Sequence, residues 1–157
     1  MSEHRATVRW KRESSDFEYK HYNREHEWKF EHGFVVGASA APDYLGKPGY
    51  VDPEEAFVAS ISSCHMLTFL AIASKRKFVV ENYTDDAVGF LEKTPQSRMA
   101  ISRVELRPTI VFSGEPPTPA QIEKMHESAH RNCFIANSVT ARIDVLPSSE
   151  DPSGGVA

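Results

Sequence analysis

The sequence predicts an α+β domain on three observations. One long uncharged stretch, Ala56 to Ser74, follows a well-marked helix start. Segments of alternating apolar and polar residues lie on both sides of it, and a second helix start follows Glu115-Pro-Pro117. The expected order is ββ(β)αββαβ, with no internal repeat. Residues 1–146 are expected as a single domain and 147–157 as a disordered Ser/Pro/Gly tail.

Ala6-Thr-Val-Arg-Trp10 alternates, as does His26-Glu-Trp-Lys-Phe30, which meets a turn at Glu31-His32-Gly33 and continues into Phe34-Val-Val36. A Pro/Gly-rich stretch from Ala41 to Gly49 reads as a loop. The first helix begins near Pro53, with Asp52 as N-cap and Glu55 completing a capping box, and runs to about Lys75-Arg76-Lys77, whose positive charges suit a helix C-terminus. Tyr83–Lys93 and Ser102–Phe112 give two longer β segments paired by a turn near Pro95-Gln-Ser97, with Pro108 at an edge or bulge. The second helix runs from Pro119 to Asn132, capped by Thr118 and Gln121, with Ile122, Met125, Ala129 and Cys133 on one face. A short helical turn at Phe134–Asn137 and a last strand, Thr140–Val145, complete the domain.

Composition narrows the function. The chain has 157 residues, net charge −4 and no long run of Lys or Arg, which argues against nucleic acid as a partner. The first ten residues carry no apolar core of a signal peptide, and two cysteines are too few for a secreted disulfide scaffold, so a cytoplasmic, reducing compartment is expected. Ala56–Ser74 approaches a membrane span in length. It nevertheless contains Ser60, Ser62, Ser63, Cys64, His65, Thr68 and Ser74, too much polarity for a lone lipid-exposed helix, so a buried central helix and no membrane are expected.

The chemistry-bearing residues centre on Cys64, inside the long helix, and Cys133, which closes His126-Glu-Ser-Ala-His-Arg-Asn-Cys133. If the fold brings them together, one can react and the other resolve. Taken alone, a free cysteine is most often a small buried hydrophobe. His126, His130 and Cys133, with Cys64 as a fourth, could present metal ligands, but one ligand-rich segment without a Cys-x-x-Cys pair is weak evidence, and no metal is expected. No Gly-rich phosphate loop is present in the sequence, and no cofactor is expected.

Asp52-Pro-Glu-Glu-Ala-Phe-Val-Ala-Ser-Ile-Ser-Ser-Cys64, followed later by Ala129-His-Arg-Asn-Cys133 and a terminal strand, resembles the OsmC/Ohr family of thiol peroxidases. Its wording after the cysteine, His-Met-Leu-Thr-Phe-Leu, is nearer an OsmC-like branch than the organic hydroperoxide resistance branch proper. The resemblance spans about residues 5 to 146. It implies an OsmC-like fold, with a long buried central helix and a second helix packed with antiparallel sheets, in an intertwined homodimer whose active sites lie at the subunit interface. It implies Cys64 as peroxidatic and Cys133 as resolving residue, an organic hydroperoxide as substrate, and a dithiol reductant of the lipoyl type.

A thiol at its reference pKa of about 8.5 is mostly protonated near neutrality, so a nucleophilic cysteine needs a cation beside it. The resemblance implies an Arg after the first strand held by the helix-leading Glu, and the matching residues are Arg24 and Glu54. Ten residues of helix span about 15 Å, so Glu54 and Cys64 of one chain cannot meet directly; either Arg24 bridges them or a second subunit contributes. His65 points away from Cys64, since adjacent helical side chains diverge by about 100°. Phe57, His65 and His130 are expected to bind substrate or satisfy hydrogen bonds near the thiol pocket, while Tyr22, Trp28 and Phe69 form apolar wall. Two other readings stand beside the enzyme: a redox sensor or small-molecule-binding module with little turnover, and a Cys/His metal-binding protein.

Overall fold

The computed structural model describes residues 1–147, so the expected tail, beyond Pro147, lies outside the described residues. The chain forms two compact units, Met1–Ala56 and Phe57 onward.

In the first unit, β1 (Ala6–Arg9), β2 (His26–Phe30) and β3 (Val35–Ala38) form an antiparallel meander. Trp28 stands opposite Val8 on one side and Val36 on the other, so β-branched and aromatic neighbours meet across the strands. The β2–β3 turn closes through Phe30 N–H to Phe34 O, at 2.9 Å, and requires Gly33 at φ +85°. The Pro/Gly-rich loop holds one 3-10 turn, Pro42–Tyr44, and Val51 bridges to Ala38.

Helix α1 (Pro53–Lys75) starts where its caps predict: Asp52 Oδ1 accepts from Glu55 N–H at 2.7 Å and Glu55 Oε2 accepts from Asp52 N–H at 3.3 Å. It ends in a Schellman-type turn with Lys77 at φ 64° and Phe78 N–H bonded to Ala73 O at 3.0 Å. Every fourth residue, Ile61, His65, Phe69 and Ala73, is buried. By length and composition α1 could cross a membrane, a test that core helices of soluble proteins also pass.

In the second unit the two expected β segments are four strands: β4 (Val79–Asp85), β5 (Val88–Lys93), β6 (Met99–Leu106) and β7 (Pro108–Ser113). Each segment breaks where the chain changes sheet. β4 pairs with β7, whereas β5 pairs with β6 across the expected turn. The two crossovers are tied together: Asp85 Oδ1 accepts from Arg107 N–H at 2.6 Å, and Asp85 also takes the Ser62 hydroxyl of α1 at 2.5 Å. Pro108, first residue of β7, sits where a missing N–H is tolerated. The last strand, β8 (Arg142–Val145), pairs with β6 in parallel, whereas β4 with β7 and β5 with β6 are antiparallel.

Helix α2 (Pro119–Asn132) has the expected reciprocal capping box between Thr118 and Gln121, and the helical turn after it is Ala136–Ser138. Two apolar clusters complete the unit. Phe69 and Ala73 of α1 meet Met125 and Ala129 of α2 over β4 and β7, and Ile61 meets Val104 and Leu106 of β6 with Phe57 and Ile143 packed alongside. Gly89 permits the second approach, because a Cβ there would fall 2.5 Å from the Val58 side chain.

Candidate active site

Cys64 is half-buried in α1 and Cys133 is buried at the C-cap of α2; both are free thiols, and they lie close enough for Cys64 to act on the Cys133 thiol. The second unit therefore brings the two expected redox residues together. Thr68 Oγ1–H donates to Cys64 O at 2.8 Å, occupying that carbonyl on the helix. Cys133 stands where α2 stops: its backbone is extended, Ala136 N–H donates to its Sγ at 3.4 Å, and Asn137 N–H donates to its carbonyl at 3.0 Å. Burial pushes the Cys133 thiol up to about 11, and Cys64 adds in the same direction. The pair is thus asymmetric. The more accessible sulfur is Cys64, and Cys133 keeps its proton at neutral pH.

His65 and His126 meet beside the cluster joining α1 and α2. They are 1% and 4% exposed, with 3.0 Å between His65 Nε2 and His126 Nδ1 and 8° between the ring planes. His126 also packs on Phe69 at 4.5 Å between ring centroids. Burial, joined for His65 by the neighbouring His126 and His130, lowers both imidazoles to about 4, so both are neutral at pH 7. His65 Nδ1, His126 Nε2 and His130 Nδ1 are buried without a hydrogen-bond partner among the described residues. The pairing of His126 with His65 was missed from sequence, where nothing links residues so far apart. No group of three or more His, Cys, Asp or Glu residues among those described is arranged to hold a metal ion.

In the first unit Arg24 lies in an aromatic setting. Its guanidinium is 3.8 Å from the Tyr22 ring centroid and 5.0 Å from that of Tyr19, and it donates to the backbone carbonyls of both residues. With Trp10, Phe17, Tyr22 and Ala40 it lines a cavity of about 330 Å³. Glu54, in the first turn of α1, is half-buried; Arg24 and Glu54 are not ion-paired with each other. Phe57 is half-buried against the Ile61 cluster.

Residues 46–147 match the family model of OsmC-like proteins. An OsmC-like protein of unknown function from Vibrio cholerae is 49% identical over 94% of this chain and 100% of its own, with a TM-score of 0.91. At 19% identity, an organic hydroperoxide resistance protein from Elizabethkingia anophelis shares the fold, with 96% and 98% coverage and a TM-score of 0.72. An OsmC-like protein from Mycoplasma pneumoniae does so at 14% identity, with 94% and 96% coverage and a TM-score of 0.74. Among curated proteins none matches. The chain belongs to the OsmC/Ohr family.

Proposed function

We propose that the protein is a thiol-dependent peroxidase acting on organic hydroperoxides. The observation that carries this reading is the contact between a half-buried Cys64 and a buried, protonated Cys133. Cys64 as thiolate attacks the terminal peroxide oxygen; the O–O bond breaks, the alkoxide takes a proton and leaves as alcohol, and Cys64 becomes a sulfenic acid. The Cys133 sulfur then attacks Cys64, the S–O bond breaks, water leaves, and a Cys64–Cys133 disulfide forms. An external dithiol of the lipoyl type returns both thiols by exchange and becomes a disulfide itself.

In this reading Arg24 supplies the cation a thiolate requires and Glu54 orients it. Arg24 spends hydrogen bonds on two backbone carbonyls and has no carboxylate partner among the described residues, which suits a guanidinium kept for an anion. Phe57, His65 and His130 are assigned to the surroundings of the substrate. We also assign the protein to the cytoplasm and to a homodimer. Supporting the dimer is the exposed stripe Ser60, Ser63, Leu67, Ala71 and Ser74 on α1, uncharged and mostly small, which suits close approach of a second helix.

The test is a thiol count before and after one equivalent of an alkyl hydroperoxide, followed by steady-state consumption with a dithiol. Two thiols per chain should disappear and turnover should follow. Unchanged thiols would overturn the reading, and thiol loss without turnover would make the protein a sensor.

A further inference from the structure

The buried histidine pair is under-bonded, and neither ring makes or breaks a bond in the steps proposed above, even where His65 borders the substrate. Whichever tautomers the rings adopt, the single bond between His65 Nε2 and His126 Nδ1 leaves one buried donor and one buried acceptor unpaired. Each such group loses its bonds to water without regaining them, so two apolar side chains of similar volume would be at least as stabilising there. What an apolar pair lacks is direction. Phe69, Ala73, Met125 and Ala129, which otherwise join α1 to α2, are held by burial alone, and burial tolerates a slide or tilt that a bond of 3.0 Å between near-parallel rings does not.

The position of the pair gives that direction a use. On α1, His65 is the residue after Cys64; on α2, His126 lies two helical turns before Cys133, about 10 Å along the axis. The two contacts are thus neighbours on α1 but the ends of a lever on α2. A tilt of α2 by about 5° about His126 displaces Cys133 by about 1 Å over that arm. A disulfide tolerates little such error, and a misplacement of about 1 Å can lower the rate of a positioned reaction by about 100-fold.

We propose that His65 and His126 are positioning residues, a polar pivot that holds the Cys133 thiol within bonding reach of Cys64. The inference rests on Cys64 and Cys133 being the redox pair, but it does not depend on the oxidant being a peroxide. It can therefore be read in glutathione redox buffers, in which oxidised glutathione accepts two electrons and two protons from the two thiols and leaves two reduced glutathiones and the protein disulfide.

His126→Leu should lower the equilibrium constant for that disulfide at least about tenfold, and His126→Asn, whose amide nitrogen stands where Nδ1 stood and can donate to His65, should restore it to within about threefold of the wild type. His65→Leu/His126→Leu should be as stable to denaturant as the wild type, or more so, while showing the same deficit. Equal constants in His126→Leu and His126→Asn would overturn the proposal, and that comparison stands if the double variant fails to fold. A pair-dependent constant in a protein whose thiols ignore alkyl hydroperoxide would support the pivot and sink the peroxidase.

Discussion

Cys133 lies beside Cys64 at the C-cap of α2, where burial first, and Cys64 in the same direction, raise its pKa to about 11. A thiol in that state is a poor first nucleophile but needs to move little to resolve a neighbour, which supports the roles proposed for the two residues.

Cys133→Ser should consume about one hydroperoxide per chain and then stall or overoxidise, because the sulfenic acid has no partner. Cys64→Ser should consume none. A peroxide consumption assay with intact-mass analysis checks both, and full first-turnover reaction in Cys64→Ser with loss in Cys133→Ser would reverse the assignment.

The buried imidazoles predict acid sensitivity. Well above pH 6.5 both folded and unfolded states hold them neutral. As pH falls from 6.5 toward 4, the unfolded chain takes up protons that the folded protein refuses, so stability declines; below about 4 the folded form protonates too and the loss levels off. Between pH 6.5 and 5 the loss should be about 1.5 kcal/mol for each imidazole. Denaturant titrations across that range should show a much flatter profile in His65→Leu/His126→Leu than in the wild type; parallel profiles would contradict the lowered pKa values.

Arg24→Ala should slow alkylation of Cys64 at neutral pH, and the peroxide reaction with it, by on the order of tenfold or more, with a smaller effect of the same sign for Glu54→Ala. Arg24→Lys should rescue little, since the ammonium lacks the planar fork. Iodoacetamide kinetics decide the matter. Unchanged rates in all three variants would make Arg24 a structural element of its aromatic cavity.

Leu67 is 60% exposed in the middle of the uncharged stripe of α1. If a second copy covers that stripe, Leu67→Arg should give a monomer by light scattering at micromolar concentration, while the wild type is a dimer. A wild-type monomer with full activity would remove the dimer from the functional reading.

Both α-helices were legible because their signals are local. Asp52 with Glu55 and Thr118 with Gln121 lie three residues apart, and a capping box forms at that spacing whatever the rest of the chain does. The break inside Tyr83–Lys93, after Asp85, was missed although Asp85-Asp86 is a pair that strands disfavour, and the change of partner from β7 to β6 leaves no mark in the alternation. The parallel pairing of β8 with β6 was hidden for the same reason. Family membership was legible from the Pro53-Glu54 helix start, Cys64 and Cys133, because a motif is a pattern of spacing.

By itself, then, the sequence determined where the two α-helices begin and near which residues they end, which segments are extended, and to which family the chain belongs. Tertiary structure alone decided that Cys64 reaches Cys133 and that His65 bonds His126 across 61 residues of chain. Those contacts depend on how α1 and α2 are seated on β4, β6 and β7, a property of packing over the whole unit that no short window of residues encodes.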